Sequence, residues 1–316
     1  MSDDADAARE RLRAVQAQLD AFVVGHDEAK RALLLALLCR EHIYLEGPPG
    51  AAKTRMAEVA ARASSLGFFF YQMHRDTRLA ELVGDTVLER EPLAGGGERI
   101  AQRTLPGGIA TAEVCVLDDI SRAPGEALNV LLRLLQERKL GDASIPLMTA
   151  IATSNPQRDE YYNEPLDPAN LDRFALQLRV PGLLGAPDLA PARELVDRAA
   201  AGALADDARA SVVCDRAALD TAYAAISRLG VSPALREALL EVLRILRAEY
   251  DCNETNSLLT DRSFLVKSVK LLRGHAWLAG RSSVEAADLA VLRWMTTFRV
   301  PEEVHEKMGE VIARVV

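Results

Sequence analysis

The segment that most constrains this chain is Gly47–Thr54, GPPGAAKT, which stands directly after the apolar run IYLE and directly before a helical pattern. A strand that runs through small residues into a helix turns several backbone N–H groups inward, beside the partial positive charge of the helix N-terminus. That arrangement wraps phosphates, and it calls for an open α/β sheet with the loop at the C-terminal end of a strand. Gly47, Pro48, Pro49, Gly50, Ala51 and Ala52 form the loop. Lys53 would reach the outer phosphates, the Thr54 hydroxyl would sit on Mg²⁺, and Arg55 adjoins them. Ala52 stands where the pattern GxxxxGK[ST] has glycine. We expect it in the first helical turn, which alanine accepts. An octapeptide of this kind also arises by chance, as a turn that ends in Lys-Thr, so the rest of the chain has to supply its context.

The context is an alternation of helical and strand patterns up to about Val180. Ala8, Leu12, Val15, Leu19 and Phe22 recur at helical spacing, as do the apolar residues of Ala29–Cys39. Five runs read as buried strands: His42–Glu46, Gly67–Gln72, Val114–Leu117, Leu147–Thr153 and Ala175–Val180. Helical segments between most of them predict a largely parallel sheet covered on both faces. The clearest crossover helix is Gly125–Arg138, with Leu128, Leu131, Leu132 and Leu135 on one side. After Pro181 the strand pattern stops, the Gly/Pro-rich stretch Gly182–Pro191 reads as a linker, and only helical patterns follow. The expected architecture is an α/β nucleotide-binding domain over 1–182 and a smaller all-helical domain over 191–316.

Three further strand ends carry chemistry. VCVLDDI delivers Asp118 and Asp119 to the end where nucleotides bind in open sheets. Asp118 fits a Mg²⁺-associated carboxylate, through water, and Asp119 the group that polarises an attacking water. In isolation the same pair would serve as well as a helix cap before Ser121. Asn155, at the end of AIATSNP, can hold that water; its structural alternative is a turn before Pro156. Arg173, in LDPANLDRF, precedes the last strand and so lies at the edge of the subunit, either as a solvated charge or as a finger onto a neighbour's γ-phosphate. Arg262 lies in the first turn of a helix that Thr260 or Asp261 can cap.

Composition narrows the partners. With 38 Lys and Arg against 46 Asp and Glu, the net charge is −8, and no long basic block exists to follow a phosphate backbone. The four cysteines show no metal or redox spacing. The longest apolar run, Ala32–Cys39, is too short to cross a bilayer, and the acidic helical start is unlike a signal peptide, so we expect a cytoplasmic chain.

Taken together, these residues resemble the MoxR family of AAA+ ATPases, and within it the RavA-like branch, over nearly the whole chain. VVGHDEAKRALLLALL (Val23–Leu38) looks like the family's adenine-flanking segment, which implies contacts from Val24 and Gly25. LDDISRAPGEALNVLLRLLQER resembles the segment around the acidic strand end, LDRF the arginine-finger segment, and DRSFLVKSVKLLRGHAWLAGRSSVEAADLAVLRW the lid motif in which Arg262 is the second sensor arginine. An Ala before the loop lysine is itself common in the family. Val87–Thr104, around Gly95–Gly97, reads as the hairpin insert of this clade, and a second hairpin covers about 139–148. The resemblance implies ATP with Mg²⁺, a ring of about six subunits, and a von Willebrand factor A-domain protein as partner in remodelling another protein. Asp119 departs from the family's usual Glu, and a carboxylate one methylene shorter implies slower hydrolysis. Two other readings stay open, a nucleotide-gated scaffold with little turnover and a DNA-acting motor, the second opposed by the acidic charge.

Overall fold

The computed structural model describes residues 3–92, 98–156, 166–185, 188–204, 210–259 and 261–316. Two helices lead, α1 (Asp3–Phe22) and α2 (Asp27–Cys39). Then come β1 (Ile43–Glu46), α3 (Lys53–Ala63), β2 (Phe68–Gln72), α4 (Leu79–Val83) and the hairpin β3 (Gly84–Pro92) and β4 (Glu98–Pro106). β5 (Val114–Asp118), α5 (Gly125–Glu137), the short strands β6 (Lys139–Leu140) and β7 (Ala143–Ser144), β8 (Thr149–Ser154), α6 (Pro168–Leu171) and β9 (Leu176–Arg179) complete the α/β part. The helical part comprises α7 (Ala190–Ala200), α8 (Arg216–Ile226), α9 (Pro233–Glu249), α10 (Asp261–Leu278), α11 (Val291–Thr296), α12 (Glu302–His305) and α13 (Met308–Ala313).

All five expected strands form one parallel sheet in the order β2-β5-β8-β1-β9. Their side chains alternate between two apolar layers, as the twofold strand period requires. On β1, Ile43 and Leu45 face the layer under α1, α2 and α3, whereas Tyr44 faces the layer under α5. The first layer continues without a break into the helical part through Leu219, Val242, Leu271, Trp277 and Met295. The crossover helix buries Leu128, Leu131, Leu132 and Leu135, as its spacing predicts. The five-residue α4 has no counterpart in the sequence reading, because so short a helix shows no period. The first hairpin is longer than 87–104: Gly84 pairs with Pro106 and Pro92 with Glu98, while the turn around Gly95–Gly97 lies outside the described residues. The second is a minimal pair, Lys139 opposite Ser144.

α10 lies along α2, and its direction matters for the site. Lys267 reaches Asp172 at the N-terminal end of β9, Lys270 pairs with the buried Glu41, and Gly274 lies against Leu35 and Cys39. The helix therefore begins at the sheet's N-terminal end and runs toward Val24.

Candidate functional site

The loop Gly47–Ala52 follows β1 and is anchored at both ends. Gly47 donates its N–H to the Ser154 carbonyl at 3.0 Å, and a Cβ at Gly47 would collide with the Val180 carbonyl and approach Val180 Cβ to 3.2 Å, so only glycine fits. α3 starts at Lys53, and its first N–H groups face the loop. Ala52 is not in the first turn, as expected from sequence, but caps the helix with φ 55° and ψ 21°. A left-handed alanine costs about 1–2 kcal/mol, which explains why glycine is usual there. Lys53 is 8% exposed, and its ammonium donates to the carbonyls of Gly47 and Pro48, the latter at 3.0 Å. Burial lowers its pKa, with Asp118, Asp119 and Glu46 opposing. A buried cation at a helix N-terminus, with acids facing it, has the donor set for a polyphosphate.

Asp118 ends β5 and accepts from Thr54 Oγ1 at 3.5 Å and, closely, from Thr153 Oγ1. This hydroxyl–carboxylate pair fits a hard cation that keeps some of its waters. Asp119 turns out of the strand with φ 52° and ψ 45°, a conformation in which aspartate is several-fold over-represented. Its Oδ1 accepts from Asn155 Nδ2 at 2.8 Å, and its Oδ2 lies 3.5 Å from Arg122 Nε. Burial raises its pKa above the ordinary value, partly offset by Arg122.

Val24 and Gly25 follow α1 and line a cleft with Pro191. Gly25 has φ 72°, and a Cβ there would stand 2.8 Å from Leu183 Cδ2 and 3.3 Å from Pro191 Cβ. Beside them is a cleft of about 190 Å³ lined by His26, Val180, Pro181, Leu183 and Pro191. A larger cleft, about 680 Å³, opens between α1, α2, α7 and α10 around the buried Lys30.

Lys53, Thr54, Asp118, Asp119 and Asn155 thus converge, whereas Arg173 and Arg262 stand apart from them. Ile43 pairs with Leu176 and Glu46 with Arg179, so Arg173, which precedes β9, lies at the end of the sheet opposite the loop after β1. Arg173 donates to Asn170 Oδ1 at 3.4 Å. Arg262 lies five residues before Lys267 at that same end, roughly 7.5 Å further out at about 1.5 Å per residue, and is exposed. Thr260 lies outside the described residues.

Sequence reasoning missed several participants. Thr153 was legible, being two residues before Asn155 on the same strand. Arg122 sits where a single turn returns it to Asp119, a fold-dependent contact. Arg299, which grips the segment beside Arg173, lay in no motif, and Lys267, which does the same, lay in the lid motif with no role attached.

Residues 42–174 match the AAA domain (dynein-related subfamily), and residues 238–304 match the AAA lid domain. Chaperone MoxR1 of Mycobacterium tuberculosis is 30% identical over 182 residues, 56% of this chain and 45% of that protein, so the match spans less than half of the relative's length. Protein MoxR of Paracoccus denitrificans is 27% identical over 313 residues, covering 92% of this chain and 88% of that one. A crystal structure from Cytophaga hutchinsonii shares the fold with a TM-score of 0.76 at 20% identity, over 99% of this chain and 95% of that one. Residues 42–174 thus carry an AAA domain and residues 238–304 an AAA lid domain, and the chain is similar to the MoxR proteins.

Proposed function

We propose that this chain binds ATP with Mg²⁺ and hydrolyses it within a ring of about six copies, as a MoxR-type machine of the RavA-like branch that remodels a partner protein. In this reading 1–182 is the nucleotide core and 191–316 the lid. Lys53 and the loop's N–H groups hold the phosphates, with Arg55 beside them, and Val24 and Gly25 flank the adenine. Thr54 and Asp118 hold the metal ion, Asp118 through water; the ion would neutralise phosphate charge. Asp119 polarises water that Asn155 orients. The observation that carries the reading is the split constellation: five polar groups meet at one end of the sheet, and two arginines stand at the other. Arg173 and Arg262 then serve a neighbour's γ-phosphate, since neither can reach its own. The naming of a relative as a chaperone supports protein remodelling, and the family resemblance supports a von Willebrand factor A-domain partner. One observation favours a second reading, a nucleotide-gated scaffold: the Asp119 carboxylate is one methylene shorter than the family's usual Glu, which sets it back from the water it would polarise.

Lys53→Ala should weaken binding of a fluorescent ATP analogue by roughly tenfold or more, the scale of one charge-assisted hydrogen bond. Arg173→Ala and Lys53→Ala subunits, each inactive alone, should recover turnover when mixed, because mixed interfaces pair an intact loop with an intact finger. Equal analogue binding by the wild type and the Lys53→Ala chain would refute the phosphate role. Absence of recovery in co-assembled subunits would refute the shared site.

A further inference from the structure

The turn that carries Arg173 is held from the lid chiefly by one buried side chain. Arg299, 2% exposed, donates from Nε to Asp172 Oδ1 at 3.3 Å and from Nη2 to the carbonyls of Asp172 at 3.2 Å and Phe174 at 2.7 Å. Its Nη1 donates to the Ala175 carbonyl at 3.1 Å and to that of Met295. Lys267, on α10, adds a bond from Nζ to the Asp172 carbonyl at 3.1 Å. Four of these acceptors belong to Asp172, Phe174 and Ala175, the residues on either side of Arg173. A guanidinium buried so completely, with one arm on the Asp172 carboxylate and the others on backbone carbonyls, fixes a backbone path. Lys267 also stands on the same helix as Arg262, little more than one turn away.

We infer that Arg299, seconded by Lys267, is a positioning residue for Arg173: Arg299 ties the turn that carries Arg173 to the lid, and Lys267 ties the same turn to the lid helix that carries Arg262, so that the two arginines face a neighbouring subunit as one rigid pair. The inference rests on the reading that both arginines act on a neighbour's nucleotide. Lid and finger then move together. A shift of the lid changes catalysis in the next subunit while the subunit's own loop keeps its geometry.

Arg299→Lys keeps the charge and loses the fork. In that chain the affinity for a fluorescent ATP analogue should stay at the wild-type value, while turnover falls by roughly 10²-fold, the cost of misplacing a catalytic group by about 1 Å. Mixing with Lys53→Ala subunits should restore turnover, because the Lys53→Ala subunit supplies a well-placed finger to the intact loop of the Arg299→Lys subunit. A general structural defect would lower analogue binding as well and would not be rescued. Lys267→Met, at a half-buried position, removes one bond and should give the same pattern at roughly tenfold; it decides the matter if Arg299→Lys does not fold. Wild-type turnover in either folded variant overturns the inference, as does failure of rescue where Arg173→Ala is rescued. If Arg173→Ala is itself not rescued, the shared-site reading falls and this inference with it.

Discussion

Asp119 is under opposing demands that a single carboxylate has to satisfy. It is 8% exposed, which favours its neutral form, yet water activation needs the charged one. Its pKa lies above the ordinary 3.8, so between that value and the raised one the folded chain binds more protons than the unfolded chain. Stability therefore falls as pH rises through that window and stays lower above it. Asp119→Asn removes this cost, so its melting temperature at neutral pH should equal or exceed that of the wild type. Its turnover should fall by roughly 10²-fold or more, as expected for losing a general base. Calorimetry and a turnover assay on one preparation check both outcomes, and a lower melting temperature would mean that the carboxylate is structural. Lengthening the side chain by Asp119→Glu would gain reach at a cost, because the left-handed backbone there suits Asp better. Lys53, Thr54, Asp118 and Asn155 were legible because strand ends and residue types announce them. The left-handed turns at Ala52 and Asp119 were not, since neither residue type demands a positive φ.

At the scale of elements, the strands and most helices were legible because burial leaves a period in the sequence. The pairing of α10 with α2 left none. It depends on Gly274, where a Cβ would lie 2.8 Å from Leu35 Cδ1 and closer still to Cys39 Sγ. Two effects compete in Gly274→Ala. Helix propensity alone favours alanine by about 1 kcal/mol, while overpacking a closed helix contact costs roughly 1–3 kcal/mol. The neighbours are buried branched and sulfur side chains with little room to give, so packing should win. We expect a net loss of about 1 kcal/mol, read as a lower denaturation midpoint in urea. An increase would mean that α10 and α2 are less tightly joined than this. The same contact sets the direction of α10 and thereby sends Arg262 to the end of the sheet where Arg173 lies. A resemblance at the level of motifs carried no information on that direction, since a lid motif names residues and not the side on which the lid packs.

For the whole molecule, the separation of Lys53 from Arg173 implies that one copy holds only half of each proposed site. Turnover per subunit should therefore rise with protein concentration until rings saturate, and ATP should shift the sedimentation profile toward larger species. Concentration-independent turnover by a monomer would contradict this. Ring size and the partner were not legible from residues alone, because assembly is written in surfaces whose complement is another chain. The lid's hold on β9 has a further consequence, for biosynthesis. Arg299 donates to Asp172 across 127 positions of chain, and α1 packs on α8 and α10, so elements far apart in the chain complete each other. As the ribosome delivers the chain, β9 has its partner β1 but not the Thr296–Glu302 segment that later shields its outer edge. An uncovered parallel edge of this kind is a template for unwanted pairing with other nascent chains. The polypeptide thus has its most vulnerable interval between the synthesis of β9 and that of the Thr296–Glu302 segment, with the α/β part already made and its cover still to come.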